Sequence, residues 1–392
     1  MFHFRIKNRI VAFFSVLALL ILFVSGIGCD KIESLTGTTA IKGASVKILF
    51  AGDTSFGENY RGSPKLLKKK GYDFPLEKIA PLLKTADFVV FNLETPITDI
   101  EKSPYEDEKA YCHWTHVDKA PKTFLKHGMT TFSLANNHGL DFGVPGLKQT
   151  IEVAQKSGMN IFGAGMTEAE AKKPFIKTFT VGKHSFKIAV IGAFEYSRSY
   201  DAKYSFYADG ETSGVYKLSV DTIKEQIAEI RNSDPDAFVI LYPHWGKNYK
   251  WKTKRQTKYA HRMLQDGGDL IIGHGGHSMQ EIERYNDKWI VYGLGNFMFL
   301  SPGRYSKLKT KPFSYTAQLI VIEDGDKLEK RIRLHPIYSN NKKSKYQVRP
   351  LTDEEFVEFH QLLLEKSPLT KKERKRIRKG KDKGGHFVEF RI

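Results

Sequence analysis

The sequence predicts a layered α/β fold, and three observations predict it. From Ser45 to about Ile337, short apolar runs alternate with amphipathic helical patterns, the order that builds sheets covered by helices. The runs are four to six residues long and rich in β-branched side chains, as buried strands are. Five of them lead directly into Asp, Glu, Asn or His, and in open α/β sheets ligands gather just beyond the carboxyl ends of the strands.

Taken in order, Val46 to Phe50 leads into Gly52 and Asp53, and Phe88 to Phe91 leads into Asn92, Leu93 and Glu94. Thr131 to Leu134 leads into Asn136, Asn137 and His138. Helices are expected over Gly146 to Lys156, Glu168 to Ala171 and Ser219 to Asn232, the last with Ser219 or Asp221 as N-cap. Ala237 to Tyr242 leads into His244 and Trp245; a helix over Gln256 to Gln265 follows. Leu270 to Ile272 then leads into Gly273, His274, two glycines and His277. No internal repeat is present.

After about Tyr338 the character changes. Thr352 to Lys366 reads as an amphipathic helix opened by a capping box, with Glu355 three residues after Thr352. Lys371 to Lys383 is mostly Lys and Arg, and His386 to Ile392 alternates like a strand. The basic run reads as a solvated segment or as a patch for anionic lipid or polymer. It carries no interleaved aromatics to stack on bases, so no specific nucleic-acid partner is expected.

The chain has 392 residues, enough for a sizeable core, and a net charge of +18 that favours an anionic partner. Its two cysteines, Cys29 and Cys112, exclude a thiolate zinc cluster. At the N-terminus, Arg5, Lys7 and Arg9 precede an apolar stretch from Ile10 to Val24, then small residues before Cys29. This is the layout of a secretory signal, and the stretch is short of the roughly 20 residues that span a bilayer. Cys29 after glycine resembles a bacterial lipoprotein cleavage site, although Gly26 stands where leucine is usual. The expected protein is extracytoplasmic and membrane-anchored by lipid on Cys29; an uncleaved N-terminal anchor and a secreted form are the alternatives. Residues 1–29 would be the leader and 30–44, small and polar, a tether.

Carboxylate, imidazole and amide oxygen together suit Mn, Fe or Zn. Two such ions about 3.5–4 Å apart can hold the attacking and the leaving oxygen of a displacement. Asp53 would hold one ion and Glu94 would bridge. Asn137 would donate its amide oxygen, with His244 and His277 as nitrogen ligands. His138 would support a neighbouring ligand or act as an acid/base group. Singly, each has an ordinary role: Asp53 as a helix cap, Glu94 as a turn acid, Asn136 to Gly139 as a left-handed turn, His244 as part of an aromatic corner. Jointly, all at strand ends, they read as a centre for one or two divalent ions. His113, His116, His127 and His261 are read as structural or surface histidines, with His113 and His116 as candidates for the substrate approach.

These segments, in this order, resemble the bacterial capsule-synthesis CapA/PgsA family, associated with poly-γ-glutamate, within the calcineurin-like metallophosphatase superfamily. The resemblance covers Gly52 to Gly57, Asn92 to Pro96, Ala135 to Gly143, Gly163 to Gly165, His244 to Gly246, Gly273 to Gln280 and Tyr292 to Phe299. It implies a four-layer α/β/β/α sandwich of the metallophosphatase type over residues 45–337, with 338–392 as a helical basic C-terminal extension. It assigns ligand roles to Asp53, Glu94, Asn137, His244 and His277, and leaving-group protonation to His138. Asn296 would be structural, near the site.

The sequence departs from the family in two places. The usual His-Pro-His of the last ligand loop is Gly275, Gly276 and His277 here, and His274, one residue earlier, is the candidate replacement. The acidic residue that usually follows His-Trp-Gly gives way to Lys247, Asn248 and Tyr249. The leading expectation is a metal-dependent hydrolase or transferase acting on an anionic polymer such as poly-γ-glutamate, within a capsule synthesis or export complex. The alternatives are a non-catalytic polymer-binding subunit with a degenerate metal site, and a phosphodiesterase.

Overall fold

The computed structural model describes residues 44–392. The leader, the tether up to residue 43 and the lipidation candidate Cys29 lie outside the described residues. Among the described residues no helix is long and apolar enough to cross a membrane.

Two sheets face each other. The first has ten strands, with Ser45–Ser55 at its centre, parallel to Phe88–Leu93 on one side and antiparallel to Phe313–Asp324 on the other. The second has seven strands and is built around His184–Glu195, Phe238–His244 and Leu270–Ile272, all parallel. The strands read as almost continuously apolar because both of their faces are covered. On Ser45–Ser55, Val46, Ile48 and Phe50 pack into the core between the sheets, while Leu49 and Ala51 pack outward with Leu82, Phe124 and Leu147. In the second sheet, Val190, Ile240 and Ile272 point inward, and Ala189, Leu241 and Ile271 meet Ile223, Ile227 and Met263 of the outer helices. This period-two sorting onto two covered faces produces four layers, α/β/β/α.

The expected helices form over Gly143–Lys156, Glu168–Lys172, Val220–Ser233 and Lys254–Gln265, each within a few residues of its sequence pattern. Ser219 occupies the N-cap of the third without a side-chain hydrogen bond.

The C-terminal segment, expected as a helical extension, is helix and sheet together. Asp353–Lys366 is helical with the Thr352–Glu355 capping box formed, and Phe359 and Leu363 enter the inter-sheet core. The basic run splits into a short helix, Lys371–Arg376, and a strand, Arg378–Asp382. That strand hairpins with Gly385–Arg391, which pairs with Lys327–Tyr338 of the first sheet. Residues 338–392 thus complete the edge of the main sheet, and the charged outermost strand blunts that edge against further pairing.

Candidate metal centre

The parallel strands of both sheets end at one seam. Asp53, two residues from the end of its strand, sits in register with Asn92 on one side and Asn296 on the other. Its backbone N–H donates to the Gly295 carbonyl at 3.0 Å. A Cβ on Gly52 would lie 1.9 Å from that same oxygen, so only glycine lets the two chains approach this closely. Just below, the Tyr242 hydroxyl donates to the Ala51 carbonyl and ties the sheets together.

The Asp53 carboxylate is fully buried. Its Oδ1 accepts from Asn92 Nδ2 at 3.0 Å and from the Gly275 N–H at 3.0 Å, and lies 3.6 Å from His274 Nδ1. Its Oδ2 lies 3.2 Å from His277 Nδ1. His244, the last residue of its strand, bridges to His274 through the backbone, and their Nδ1 atoms are 3.1 Å apart. His274 therefore reaches the centre from one position earlier than the family pattern. His277 adopts a left-handed φ of 57°, uncommon for a non-glycine residue, and this turns its ring inward between Asp53 and Glu94. Its Nε2 lies 3.8 Å from Glu94 Oε1, and its Nδ1 is 2.8 Å from Asn296 Oδ1.

Three three-residue clusters with metal-ligating atoms result: Asp53, His244 and His274, and Asp53, Glu94 and His277, which share Asp53, and beside them His113, His138 and Asp141, where Lys109 already pairs with the carboxylate. The sequence places the shared carboxylate at Glu94; in the structure the side chain common to the first two clusters is Asp53. Asn137 lies beside them, lining the same cavity as His138 and His277. Its backbone carbonyl accepts from Lys109, and its amide nitrogen is 3.5 Å from the Tyr200 hydroxyl.

His138 stands on the Glu94 side, with Nε2 3.9 Å from Glu94 Oε1 and Nδ1 2.6 Å from Asp141 Oδ2. With the Nδ1 proton assigned to the Asp141 contact, Nε2 carries a lone pair that faces Glu94. Asp141 is fully buried and ion-paired to Lys109. The His113 ring stacks on His138 with centroids 3.7 Å apart. Asp141 and Lys109 are the part of the site that the strand-end reading passes over, while His113, a candidate for the substrate approach, lines the cavity against His138. Asp141, three residues after His138, carried a sequence signal; Lys109, in a loop without periodicity, carried none.

The charges of the centre do not balance by themselves. Burial works against ionisation of Asp53, but hydrogen bonds from His274 and His277 outweigh it and hold that carboxyl well below the usual range. At Glu94, burial and the Asp53 charge act together and push the carboxyl well above its ordinary value. Burial pulls His277 down, yet the Glu94 charge and the Asp53 hydrogen bond prevail and raise it to about 9. Burial, then the Lys109 charge, keep His138 well below an ordinary imidazole. Both Glu94 oxygens and His274 Nε2 are buried without a hydrogen-bond partner among the described residues. Orphaned polar atoms of this kind are costly unless something else satisfies them. A donor set of carboxylate oxygen and imidazole nitrogen fits a divalent transition ion, whose charge would let both carboxylates ionise.

The centre opens into a cavity of about 250 Å³, walled by Lys109, His113 and Tyr200 on one side and Tyr249 and Arg304 on the other.

Among curated proteins, this chain is 30% identical over 251 residues to the PGA biosynthesis protein CapA of Bacillus subtilis, covering 64% of this chain and 62% of that one. It is 26% identical over 285 residues to the capsule biosynthesis protein CapA of Bacillus anthracis, covering 71% and 66%. The match spans just under two thirds of either relative's length. Among solved structures, a phosphatase of Mycoplasma pneumoniae aligns over 78% of this chain and 90% of its own, at 12% identity and a TM-score of 0.36. The family described as bacterial capsule synthesis protein PGA_cap matches residues 47–301, a stretch that contains every candidate ligand, and the chain belongs to that family.

Proposed function

We propose that this chain is an extracytoplasmic, membrane-tethered hydrolase or transferase that acts on an anionic polymer of γ-linked glutamate in capsule synthesis or export. One or two divalent ions (Mn, Fe or Zn) would be held by Asp53, Glu94, Asn137, His244, His274 and His277. The observation that carries this reading is the pair of fully buried carboxylates, Asp53 and Glu94, with Glu94 oxygens that nothing among the described residues satisfies. The names of the Bacillus relatives, which refer to PGA and capsule biosynthesis, support the polymer class.

A divalent ion bound there supplies Lewis acidity for displacement at an acyl or phosphoryl centre. The chain's own residues handle the proton. His138, neutral in its buried setting, takes the proton of the attacking water or acceptor group at Nε2 and gives it to the leaving group. Asp141 fixes the ring through Nδ1, and Lys109 balances the Asp141 charge. His113 covers one face of the imidazole and keeps water from it. Lipid on Cys29 would hold the domain at the membrane where polymer emerges. A Cys29→Ser variant that still partitions with membranes would overturn that part.

The test incubates metal-loaded protein with poly-γ-glutamate and follows chain length and new amine ends. Metal-dependent shortening or transfer, abolished in His138→Ala, is the expected result. Intact polymer together with rapid phosphodiester hydrolysis would make the protein a phosphodiesterase. Polymer binding without turnover, at less than one equivalent of metal, would make it a non-catalytic subunit.

A further inference from the structure

A second cavity, of about 290 Å³, lies next to the catalytic one. Tyr249 lines both. The residue is buried and has a left-handed φ of 59°. It is held by its N–H donating to the Gly276 carbonyl at 2.7 Å and its carbonyl accepting from the Thr310 hydroxyl at 3.3 Å. Its ring packs 5.7 Å from that of His277. The wall between the two cavities is thus fastened to the loop that carries the candidate ligands.

The second cavity is lined by Lys250, Lys309 and Lys311 around Trp251, Met279 and Leu362. Lys311 is neutralised by Glu358. Lys250 and Lys309 are exposed, and neither has a carboxylate partner among the described residues. Arg304, exposed at the rim of the first cavity, has none either. Lys309 also holds a left-handed φ of 51°, a conformation a non-glycine residue keeps only where its surroundings enforce it. Unpaired cations spread over two adjoining concave sites, with an apolar floor in the second, match a chain that alternates carboxylates with methylene segments. The cations attract the carboxylates, and Trp251, Met279 and Leu362 cover the methylenes.

We propose that this second cavity is a distal subsite, which holds the polycarboxylate chain beyond the unit undergoing reaction, with Lys250 and Lys309 as its charge-reading residues. The proposal rests on the polymer reading above and names where the rest of the polymer lies. It makes affinity depend on chain length. A γ-glutamyl dipeptide fills only the catalytic cavity, whereas a longer chain engages both sites and gains from their linkage.

The experiment measures binding of a fluorescent long γ-glutamate oligomer, and competition by γ-glutamyl dipeptide, on full-length metal-loaded protein. Lys250→Gln/Lys309→Gln is compared with Lys371→Gln/Lys372→Gln, which removes the same charge from the C-terminal run. The expected result is an oligomer affinity about tenfold weaker and less salt-sensitive in the first variant alone, with dipeptide competition unchanged. Wild-type affinity in that variant, an equal loss in the control, or no oligomer binding by the wild type would each overturn the subsite. So would loss of binding to anionic vesicles with oligomer binding intact, which would assign the surface to a membrane. Repeating the measurement in Asp53→Asn separates the two readings: oligomer binding that persists without turnover leaves the subsite standing, whatever becomes of the catalytic assignment.

Discussion

Asp53 Oδ2 lies 3.2 Å from His277 Nδ1, across the seam where the two sheets meet. One residue lies near the end of the central strand of the first sheet, and the other follows Leu270–Ile272 of the second. The centre therefore exists only when the sheets are docked, and its geometry is as exact as the packing at that seam.

Gly52→Ala tests that dependence. The new Cβ would meet the Gly295 carbonyl, a backbone atom that cannot rotate away. The substitution is expected to destabilise the protein by about 4 kcal/mol or more, as the severe core and backbone lesions do. Thermal unfolding read by circular dichroism checks it, and a melting temperature equal to wild type would show that the seam yields.

Asp141 serves His138 and Lys109 together, and the two services separate by mutation. Asp141→Asn strands the Lys109 charge in a buried site and is expected to cost about 3–5 kcal/mol of stability along with activity. Adding Lys109→Met should restore much of the stability, because no buried charge then lacks a partner. Activity should stay low, since the His138 ring has lost the carboxylate that orients it. Denaturant melts and turnover measured on wild type and these two variants decide the matter.

His138→Ala should lower turnover by about 10²–10⁴-fold, the range of a lost proton-transfer group. Metal content should be unchanged, because His138 lies outside the two clusters built on Asp53, and in its own cluster with His113 and Asp141 the carboxylate is already paired with Lys109. Loss of metal in this variant would move His138 from proton carrier to ligand.

Acid sensitivity should have an identifiable contribution from the C-terminal hairpin. Burial by itself would raise the Asp382 carboxyl, but His335, the Gly384 N–H and Arg333 outweigh it and hold it at about 2. Arg333 Nη1 lies 2.8 Å and His335 Nε2 3.2 Å from the carboxylate. A carboxyl depressed on folding contributes its full stability above its unfolded value of about 3.9, and loses it as pH falls toward 2. Asp382→Asn should therefore be less stable than wild type at pH 6, with the gap closing between pH 4 and pH 2. A gap that stays constant over that range would remove Asp382 from the account.

The strand-end clusters were legible because chemistry and periodicity coincide there. Asp53, Glu94, His138, His244 and His277 each follow an apolar run whose length and β-branching mark a covered strand. Parallel strands put such residues at one edge. His274 was legible as the neighbour of a missing histidine, with Gly275 and Gly276 allowing the loop to reposition it. Lys109 was not, because an ion pair between a loop and Asp141 has no spacing to announce it. The strand Arg378–Asp382 was hidden for a different reason. Its composition is that of a solvated charge run, and it is a strand only because Gly385–Arg391 offers it an edge. That edge is itself held in the main sheet by Lys327–Tyr338, a pairing distant along the chain that the composition of the run does not carry.

The most direct test of the central claim is the metal content of purified full-length protein, measured by elemental analysis beside Asp53→Asn and Glu94→Gln. The account predicts at least one equivalent of Mn, Fe or Zn retained through desalting, a fall to background in Asp53→Asn, and a melting temperature lowered by chelation in the wild type alone. Metal at background in the wild type, with no rise in melting temperature when any of the three ions is added, would contradict it.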